Sequence, residues 1–409
     1  MKKIIAIIVF GSFLLSCSCT KEDNSIPTSR DANGVITEKQ YLWWNKEEEH
    51  DNYIITTPFI YNGSFIAETH QNGNSYLSLQ NAKDGKIIWK WDDYVFDYDI
   101  DLRYPYGSQE GYLFFQSGPR TYCVNLKSGK TQWKETQSAS QFSLTSGYFD
   151  EGYMLQDFPD DGDVYPGFKI YDLENGNLKD KIIPKFINIS NRNVSGELGS
   201  ISSVVPYILD NKKNLLVSFA EPINEHINKG FLGLYNYEDK VWVYDRRLIN
   251  ENYGLGLLQI YNNKAYCLSG DTINCLSIED GKIIWKKGFK GNFVFGGFML
   301  DQGTLYCAAE GDGYYALNAE TGAIKWKGER APGTSSRMVV LNGVLYYING
   351  GDGRLWALDA ATGKTLWRLK SPDGYSFKRE INVMQGDGER KGYVLTSTWH
   401  GACAYEAER

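Results

Sequence analysis

The stretch Ala357-Leu358-Asp359-Ala360-Ala361-Thr362-Gly363-Lys364-Thr365-Leu366-Trp367 decides the fold of this chain. It contains a short apolar run, an acidic turn that ends in glycine, and a tryptophan four residues after that glycine. The same phrase occurs at Gly322 and at Gly281, so three successive glycines are each 41 residues apart. A fixed spacing of this size predicts a repeat architecture, in which each unit buries its apolar surface against the next unit.

Further copies of the phrase extend the repeat into the N-terminal half. Seven copies are recognisable, although the copy at Gly176 lacks the tryptophan and the copy near Asp239 lacks the glycine. We interpret the repeated residues as structural, because large aromatic rings fill the space between packed sheets. The residues assigned to the repeat are Gly85, Trp89, Gly129, Trp133, Trp242, Gly281, Trp285, Gly322, Trp326, Gly363 and Trp367.

Each unit has the pattern of short strands joined by tight turns. The runs Gly343–Asn349 and Arg354–Asp359 are rich in aromatic and β-branched residues, and turns of glycine and aspartate bound them. This pattern is typical of an antiparallel meander. One preceding strand brings the unit to four, which predicts an all-β fold built from four-stranded propeller blades.

The end of the chain gives the number of blades. Gly392–Thr398 and Ala402–Glu406 repeat the two middle strands, but no glycine and tryptophan follow them. The segment Ile36–Trp44 resembles a lone tryptophan strand that would complete this last blade. We therefore expect an eight-bladed β-propeller over residues 41–409, with the ring closed by an N-terminal strand. Seven blades are the alternative, because the repeat is irregular between Gly176 and Asp239.

The N-terminus predicts export and lipid attachment. Lys2 and Lys3 precede an apolar run that is too short to span a bilayer, so residues 1–16 are expected to be a signal peptide. Leu14-Leu15-Ser16-Cys17 resembles a bacterial lipobox, which predicts that Cys17 carries the lipid. Residues 17–40 are mostly polar and are expected to form a flexible tether.

The phrase from Ala357 to Trp367 resembles the repeat of the pyrroloquinoline-quinone-like propellers. Families with this repeat include quinoprotein dehydrogenases and a lipoprotein of the outer-membrane β-barrel assembly machinery. Together with the lipobox, the second resemblance implies a non-catalytic lipoprotein of the outer membrane, on its periplasmic side or at the cell surface. Such a protein is a scaffold that binds other envelope proteins and takes part in outer-membrane protein assembly.

Two other functions stay open. The 29 tyrosines and 11 tryptophans would suit a surface lipoprotein that captures glycans or other nutrients. A dehydrogenase that depends on pyrroloquinoline quinone is least favoured, because the chain has no adjacent cysteine pair and no polar cluster that would hold the quinone.

Composition and spacing argue against several other partners. The net charge of -7 disfavours nucleic acid, whose phosphates are bound mainly by Lys and Arg. The four histidines are far apart in the sequence, so we predict no metal site and no cofactor. Cys267 and Cys275 flank one predicted hairpin, and whether they form a disulfide stays open.

Loops outside the repeat are the expected places for partner binding, since binding residues are common on loops held by a rigid scaffold. Three segments stand out because aromatic or charged residues interrupt the strand pattern. Their candidate residues are Tyr104, Tyr106, Phe158, Tyr165, Glu221 and His226.

Overall fold

The computed structural model describes fifteen ranges of the chain. These are residues 28–46, 53–71, 74–93, 100–101, 108–109, 111–117, 120–136, 153–159, 166–172, 174–182, 200–224, 227–290, 292–329, 336–378 and 380–409. Strands make up the regular secondary structure of these ranges, and they contain no helix. No segment in the described ranges is a helix of the length and hydropathy needed to cross a membrane.

The strands are short, as the alternating sequence predicts, and most connections between them are tight turns. In the first half of the chain they are β1 (Ser29–Arg30), β2 (Ile36–Glu38), β3 (Tyr41–Trp44), β4 (Tyr53–Tyr61), β5 (Ser64–Gln71), β6 (Asn74–Asn81), β7 (Ile87–Trp91), β8 (Ile100–Asp101), β9 (Ser108–Gln109), β10 (Tyr112–Ser117), β11 (Arg120–Asn125), β12 (Lys130–Thr136), β13 (Tyr153–Pro159), β14 (Pro166–Asp172), β15 (Leu178–Ile182), β16 (Ser200–Leu209) and β17 (Lys212–Asn224).

In the second half they are β18 (Ile227–Asn236), β19 (Val241–Asn250), β20 (Leu258–Tyr261), β21 (Lys264–Ser269), β22 (Thr272–Ser277), β23 (Ile283–Gly288), β24 (Val294–Asp301), β25 (Thr304–Ala309), β26 (Gly313–Asn318), β27 (Ile324–Lys327), β28 (Val339–Leu341), β29 (Val344–Ile348), β30 (Leu355–Asp359), β31 (Thr365–Leu369), β32 (Ile381–Gln385), β33 (Gly392–Thr398) and β34 (Gly401–Glu406).

The described strands form eight sheets, and within each sheet the order is mostly that of the chain. Four sheets have four consecutive strands: β4–β7, β16–β19, β20–β23 and β24–β27. The strands β8–β12 and β13–β15 form a five-stranded and a three-stranded sheet. The last two sheets contain β28–β31 and β32–β34, and each also includes strands from the N-terminus. The predicted all-β fold of four-stranded antiparallel units is confirmed.

Each repeat glycine except Gly281, which lies beside Arg247 and Tyr244, lies beneath a tryptophan of the neighbouring sheet. A Cβ atom added at Gly322 would lie 2.7 Å from the Trp285 ring, and one added at Gly363 would lie 2.6 Å from the Trp326 ring. Both glycines also have a positive φ angle, which glycine adopts without steric cost. The position therefore excludes side chains for two separate reasons, close approach of a ring and backbone conformation.

The same tryptophans donate a hydrogen bond to the neighbouring sheet. Trp285 Nε1 donates to the Ala319 carbonyl at 2.9 Å, and Trp326 Nε1 donates to the Ala360 carbonyl at 2.9 Å. Trp89 makes the equivalent bond to the Leu126 carbonyl at 2.7 Å. In each of these three cases the accepting carbonyl belongs to the third residue before the repeat glycine. One tryptophan side chain therefore fixes both the distance between two sheets and their position relative to each other along the strands.

A register shift in the outer strand directs each ring toward its neighbour. In β23, Trp285 is opposite Cys275 and Ile283 is opposite Leu276, so one extra residue lies between them. The outer strands β7, β12, β27 and β31 have the same shift at the same position. A bulge bends the strand locally and changes the direction of its side chains.

The irregular unit uses a tyrosine in place of the tryptophan. The bulge in β19 places Tyr244 opposite Leu234, and Tyr244 Oη donates to the Ile278 carbonyl at 2.8 Å. Ile278 is the third residue before Gly281, so Tyr244 occupies the docking position. Trp242, which the sequence phrase assigned to this position, instead contacts the rings of Phe219 and Tyr235.

Apolar clusters join the sheets in pairs. Trp43 and Phe65 stack with ring centroids 5.8 Å apart, and they belong to a buried cluster that also contains Tyr393 and Leu395. This cluster joins the sheet of β4–β7 to the sheet of β32–β34. Comparable clusters join β4–β7 to β8–β12, β13–β15 to β16–β19, and each later sheet to the next.

The N-terminal segment is divided between two sheets. β3 pairs with β34, with Trp44 opposite Cys403. β2 instead runs parallel to β31, with Ile36 opposite Trp367, and β1 pairs with β2. Residues 29–30 and 36–38, which lie in the segment predicted as a tether, therefore form strands.

Trp367 docks where the two ends of the chain meet. Its Nε1 donates to Glu408 at 3.1 Å, in place of the carbonyl that the other repeats offer. Lys39 donates to the Glu406 carbonyl at 2.8 Å and lies 3.5 Å from the Glu408 carboxylate. Burial lowers the pKa of Lys39, while the charge of Glu408 opposes this shift. We call Lys39, Trp367 and Glu408 the closing joint.

The described cysteines are buried free thiols. Cys267 faces the cluster that includes Leu216 and Leu255, whereas Cys275 faces the cluster that includes Phe298 and Leu305. The two thiols therefore point to opposite sides of the sheet of β20–β23, a geometry that a disulfide does not allow. Burial raises the pKa of Cys275 to about 11, which keeps the thiol protonated and unreactive.

The glycine contact predicts a difference between two substitutions in one sheet. Gly303 and Gly322 both have a positive φ, but the atom nearest to a Cβ at Gly303 is the Tyr261 hydroxyl at 3.7 Å. We expect Gly303→Ala to cost about 1 kcal/mol of unfolding free energy through backbone strain. Gly322→Ala should cost about 2 kcal/mol more, because the Trp285 ring must move. Urea unfolding of both variants measures the difference, and equal losses would contradict the docking role.

The closing joint predicts a pH-dependent loss of stability. Glu408→Gln removes the partner of the buried Lys39 ammonium and should lower the unfolding free energy by about 1–2 kcal/mol at pH 7. The loss should shrink as the pH rises through the lowered pKa of Lys39, because the folded protein then holds a neutral amine that gains little from a carboxylate partner. Thermal unfolding across this pH range measures it. Glu251→Gln, which removes an exposed partner of Lys229, should change little.

Candidate functional site: the exposed aromatic residues

The two ends of the sheets differ in their turns. At one end, which we call the glycine end, the repeat glycine closes the turn between the third and fourth strands. At the other end, the connection end, lie the turn between the second and third strands and the passage to the next sheet. In the C-terminal half, the described part of the connection end includes residues 251–257, 270–271, 289–290, 292–293, 310–312, 349–354, 370–378 and 399–400.

The exposed aromatic side chains among the described residues all lie at the connection end. Trp399 is 47% exposed, Tyr375 56%, Tyr253 43% and Phe293 42%. Several exposed aliphatic residues instead follow the repeat glycines on the outer strands, and they include Ile87, Ile88, Ile283, Ile284 and Ile324. Half-exposed aromatic rings are a common feature of recognition surfaces, so the connection end is the candidate site.

A buried carboxylate supports the first pair of rings. The Asp373 side chain is 3% exposed and accepts hydrogen bonds from the Ser371 hydroxyl and from the Tyr375 amide at 3.0 Å. His400 Nδ1 lies 3.1 Å from the same carboxylate. Burial alone would raise the pKa of Asp373, but these hydrogen bonds outweigh it and lower the pKa. Asp373 therefore ties the loop after β31 to the turn between β33 and β34.

Lys378 brings a positive charge to these rings. Its Nζ lies 2.9 Å from the centroid of the Trp399 ring, and its amide donates to the Ser397 carbonyl at 2.8 Å. Burial lowers the pKa of Lys378 to about 8, against the opposing charge of Asp373. The ammonium is therefore mostly charged at pH 7. We call Tyr375, Lys378 and Trp399 the Trp399 patch.

The second pair of rings lies two sheets earlier. Tyr253 and Phe293 meet edge to face, with ring centroids 6.0 Å apart. Gly270 packs beneath the Tyr253 ring, since a Cβ there would lie 2.8 Å from it. The ring is therefore held against a turn of the sheet and is not free to fold back. We call Tyr253 and Phe293 the Tyr253 patch.

A two-stranded arm stands beside the Tyr253 patch. β17 and β18 remain paired as far as Asn224 and Ile227, whereas the described pairing of β16 ends at Ala220 and that of β19 ends at Gly230. Among the described residues, 221–224 and 227–229 thus extend beyond the four-stranded part of the sheet. We call these residues the arm.

Charged contacts brace the base of the arm. Glu221 pairs with Arg246, whose guanidinium lies 4.2 Å over the Phe231 ring. Lys229 and Glu251 are 3.0 Å apart. These contacts join both strands of the arm to β19 and to the segment that follows it, which carries Tyr253.

The sequence-predicted loop residues are distributed unevenly over the structure. Glu221 lies at the base of the arm, and Phe158 lies in β13 opposite Gly167. Tyr104, Tyr106, Tyr165 and His226 lie outside the described residues, as does Cys17. The repeat residues lie at the sheet contacts and not at the connection end.

Sequence reasoning missed the four exposed rings. The available signal was weak: each ring falls in a short polar segment outside the repeat phase, such as Ser371-Pro372-Asp373-Gly374-Tyr375. Such segments predict turns but give no sign of which side chains remain exposed. Within the described ranges, no group of three or more His, Cys, Asp or Glu side chains is arranged to hold a metal ion.

Comparison with known proteins shows that part of this chain resembles one protein family. Residues 269–388 match the family model described as outer membrane protein assembly factor BamB. A protein of that name from Legionella pneumophila (strain Paris) is 27% identical over 139 residues, which are 34% of each chain. The match thus spans about a third of the length of this curated relative.

Solved structures show the same fold at low sequence identity. BamB from Moraxella catarrhalis superposes with a TM-score of 0.56 and 11% identity, over 93% of this chain and 98% of the other. Quinohemoprotein alcohol dehydrogenase ADHIIG from Pseudomonas putida HK5 superposes with a TM-score of 0.64 and 12% identity, over 89% of this chain and 72% of the other. The chain is therefore a propeller of pyrroloquinoline-quinone-like repeats that resembles the assembly factor BamB.

Proposed function

We propose that this protein is a non-catalytic scaffold of the cell envelope that binds other proteins and takes part in outer-membrane protein assembly. The observation that carries the proposal is the match of residues 269–388 with the assembly-factor family model. The exposed groups at the connection end are aromatic rings and paired charges, which suit contact with a macromolecule. We propose no cofactor and no catalytic residue.

The scaffold in this proposal is a closed ring of eight blades. Its support is the number of described sheets and the buried cluster in which Trp43 and Phe65 of the N-terminal half meet Tyr393 and Leu395 of the C-terminal half. A closed ring leaves no sheet with an uncovered apolar face.

The proposed location is the outer membrane, with Cys17 as the lipid-bearing residue. Residues 1–16 are the proposed signal peptide, and the chain between Cys17 and Ser29 is the proposed tether. More than one acyl chain on Cys17 would hold the protein stably at the membrane.

The proposed binding surface for an envelope protein is the Tyr253 patch with the arm. Tyr253 and Phe293 present rigid rings, since Gly270 supports one of them from beneath. Interface energies are concentrated in a few aromatic anchors of this kind, each worth about 2 kcal/mol or more. Aromatic rings also stack on sugars, so a lipoprotein that captures glycans is the second candidate.

A paired substitution tests the proposed surface. Tyr253→Ser combined with Phe293→Ser should reduce the recovery of outer-membrane β-barrel assembly proteins at least thirtyfold, when the full lipoprotein is purified from gently solubilised membranes. Quantitative mass spectrometry measures the recovery. Ile283→Ser combined with Ile284→Ser is the matched control, because it changes two exposed residues at the glycine end.

Three results would count against this proposal. Equal losses in both double variants would mean that the connection end is not the binding surface. Recovery of no assembly protein with the unchanged chain would reject the assembly role. Retention on a glycan affinity matrix would then favour the second candidate.

A further inference from the structure

The chain enters the described fold at Ser29, and the contacts around Ser29 show which end of the sheets the tether joins. Ser29 is opposite Glu38, and its hydroxyl donates to the Glu38 carboxylate at 2.7 Å. Glu38 lies 3.6 Å from Lys370, whose amide donates to the Thr37 carbonyl at 3.1 Å. Lys370 is the first residue after β31, where the connection that carries Tyr375 begins. The tether therefore joins the fold at the connection end.

The tether is short. Eleven residues lie between Cys17 and Ser29, and the twelve residue steps from one to the other span at most about 40 Å when extended. A flexible chain of twelve residues has an average end-to-end distance of about 20 Å. With Cys17 in the membrane, the connection end of the last two sheets is therefore held close to the bilayer surface.

The Trp399 patch has the chemistry of a membrane interface. Tryptophan and tyrosine are enriched at the level of the lipid headgroups, where the ring is partly apolar and its polar atom stays hydrated. Lysine near such rings contacts lipid phosphates while its carbon chain covers apolar surface. The Trp399 patch brings these three kinds of side chain together on the two loops that Asp373 joins.

The loops that carry the Trp399 patch are rigid, so the rings of Tyr375 and Trp399 cannot withdraw without breaking polar contacts. The Asp373 carboxylate fixes the Tyr375 amide and the His400 ring, and Tyr375 meets the His400 ring with centroids 5.3 Å apart. Gly353 supports the same loop through the hydrogen bond from the Phe377 amide to its carbonyl, at 2.9 Å. Two half-exposed rings are thus presented to the surroundings in a fixed direction.

We propose that the Trp399 patch rests in the headgroup region of the membrane to which Cys17 is attached. The proposal rests on the lipid anchor of the proposed function. It assigns different partners to the two patches: lipid to the Trp399 patch and protein to the Tyr253 patch. The bilayer contact orients the propeller, and the Tyr253 patch remains available at the same end.

Quenching by brominated lipid tests the contact directly. The acylated full-length protein is reconstituted into vesicles of phosphatidylethanolamine and phosphatidylglycerol at a ratio of three to one, with brominated or unbrominated acyl chains. Trp399 is the one tryptophan among the described residues with more than a third of its surface exposed. Bromine should reduce the tryptophan emission of the unchanged protein and leave that of Trp399→Phe unaltered.

A second pair of variants does not depend on replacing Trp399. Tyr375→Asp places a charge where the ring would enter the headgroup region and should reduce the quenching at least twofold. Phe293→Asp makes the same change in the Tyr253 patch and should leave the quenching unchanged. Thermal unfolding of each variant confirms that it is folded.

The outcomes separate the patch from the anchor. Protein that floats with the vesicles but shows no bromine quenching overturns the membrane role of the patch and leaves the anchor standing. Equal quenching in the unchanged protein and in Trp399→Phe, or equal effects of Tyr375→Asp and Phe293→Asp, also overturns it. Acylated protein that does not float overturns both the anchor and the patch.

Discussion

The architecture depends on one contact, an indole ring that lies on a glycine of the next sheet and donates its N–H to a carbonyl three residues earlier. The contact is stringent on both sides. Any side chain in place of Gly322 or Gly363 would collide with the ring. Loss of the indole removes one of the two donors to the carbonyl, which also accepts from the hydroxyl of Tyr266 or Tyr306. Because a tryptophan ring lies on Gly85, Gly129, Gly176, Gly322 and Gly363 in the same way, the contact sets the positions of these neighbouring sheets.

The same contact explains how far the sequence predicts the structure. The phrase around Gly281, Gly322 and Gly363 predicted the strands, the turns and the packing role of the tryptophans. It failed at Trp242, because a bulge shifts the side chains of β19 and a tyrosine hydroxyl can reach the same carbonyl. The exposed rings could not be foreseen, since exposure of Tyr375 or Trp399 depends on how two loops distant in sequence meet at Asp373.

The glycine end and the connection end of the sheets therefore have different roles. The glycine end is committed to packing, and its sequence has little freedom to change. The described part of the connection end does not repeat the indole-on-glycine contact, so its loops can differ in length and composition at small cost to the fold. The exposed aromatic rings and the arm lie where that freedom exists.

The pairing of β3 with β34 also governs the order of folding. β3 lies near the start of the chain and β34 at its end, so the last sheet cannot be completed until both ends are present. Until then Trp43 and the edge of β34 are exposed to solvent, while the inner sheets can already form from local hairpins. Contacts between such distant segments form slowly and leave apolar surface open to aggregation in the meantime. A chain with this topology would gain from a chaperone that shields β3 until β34 is present.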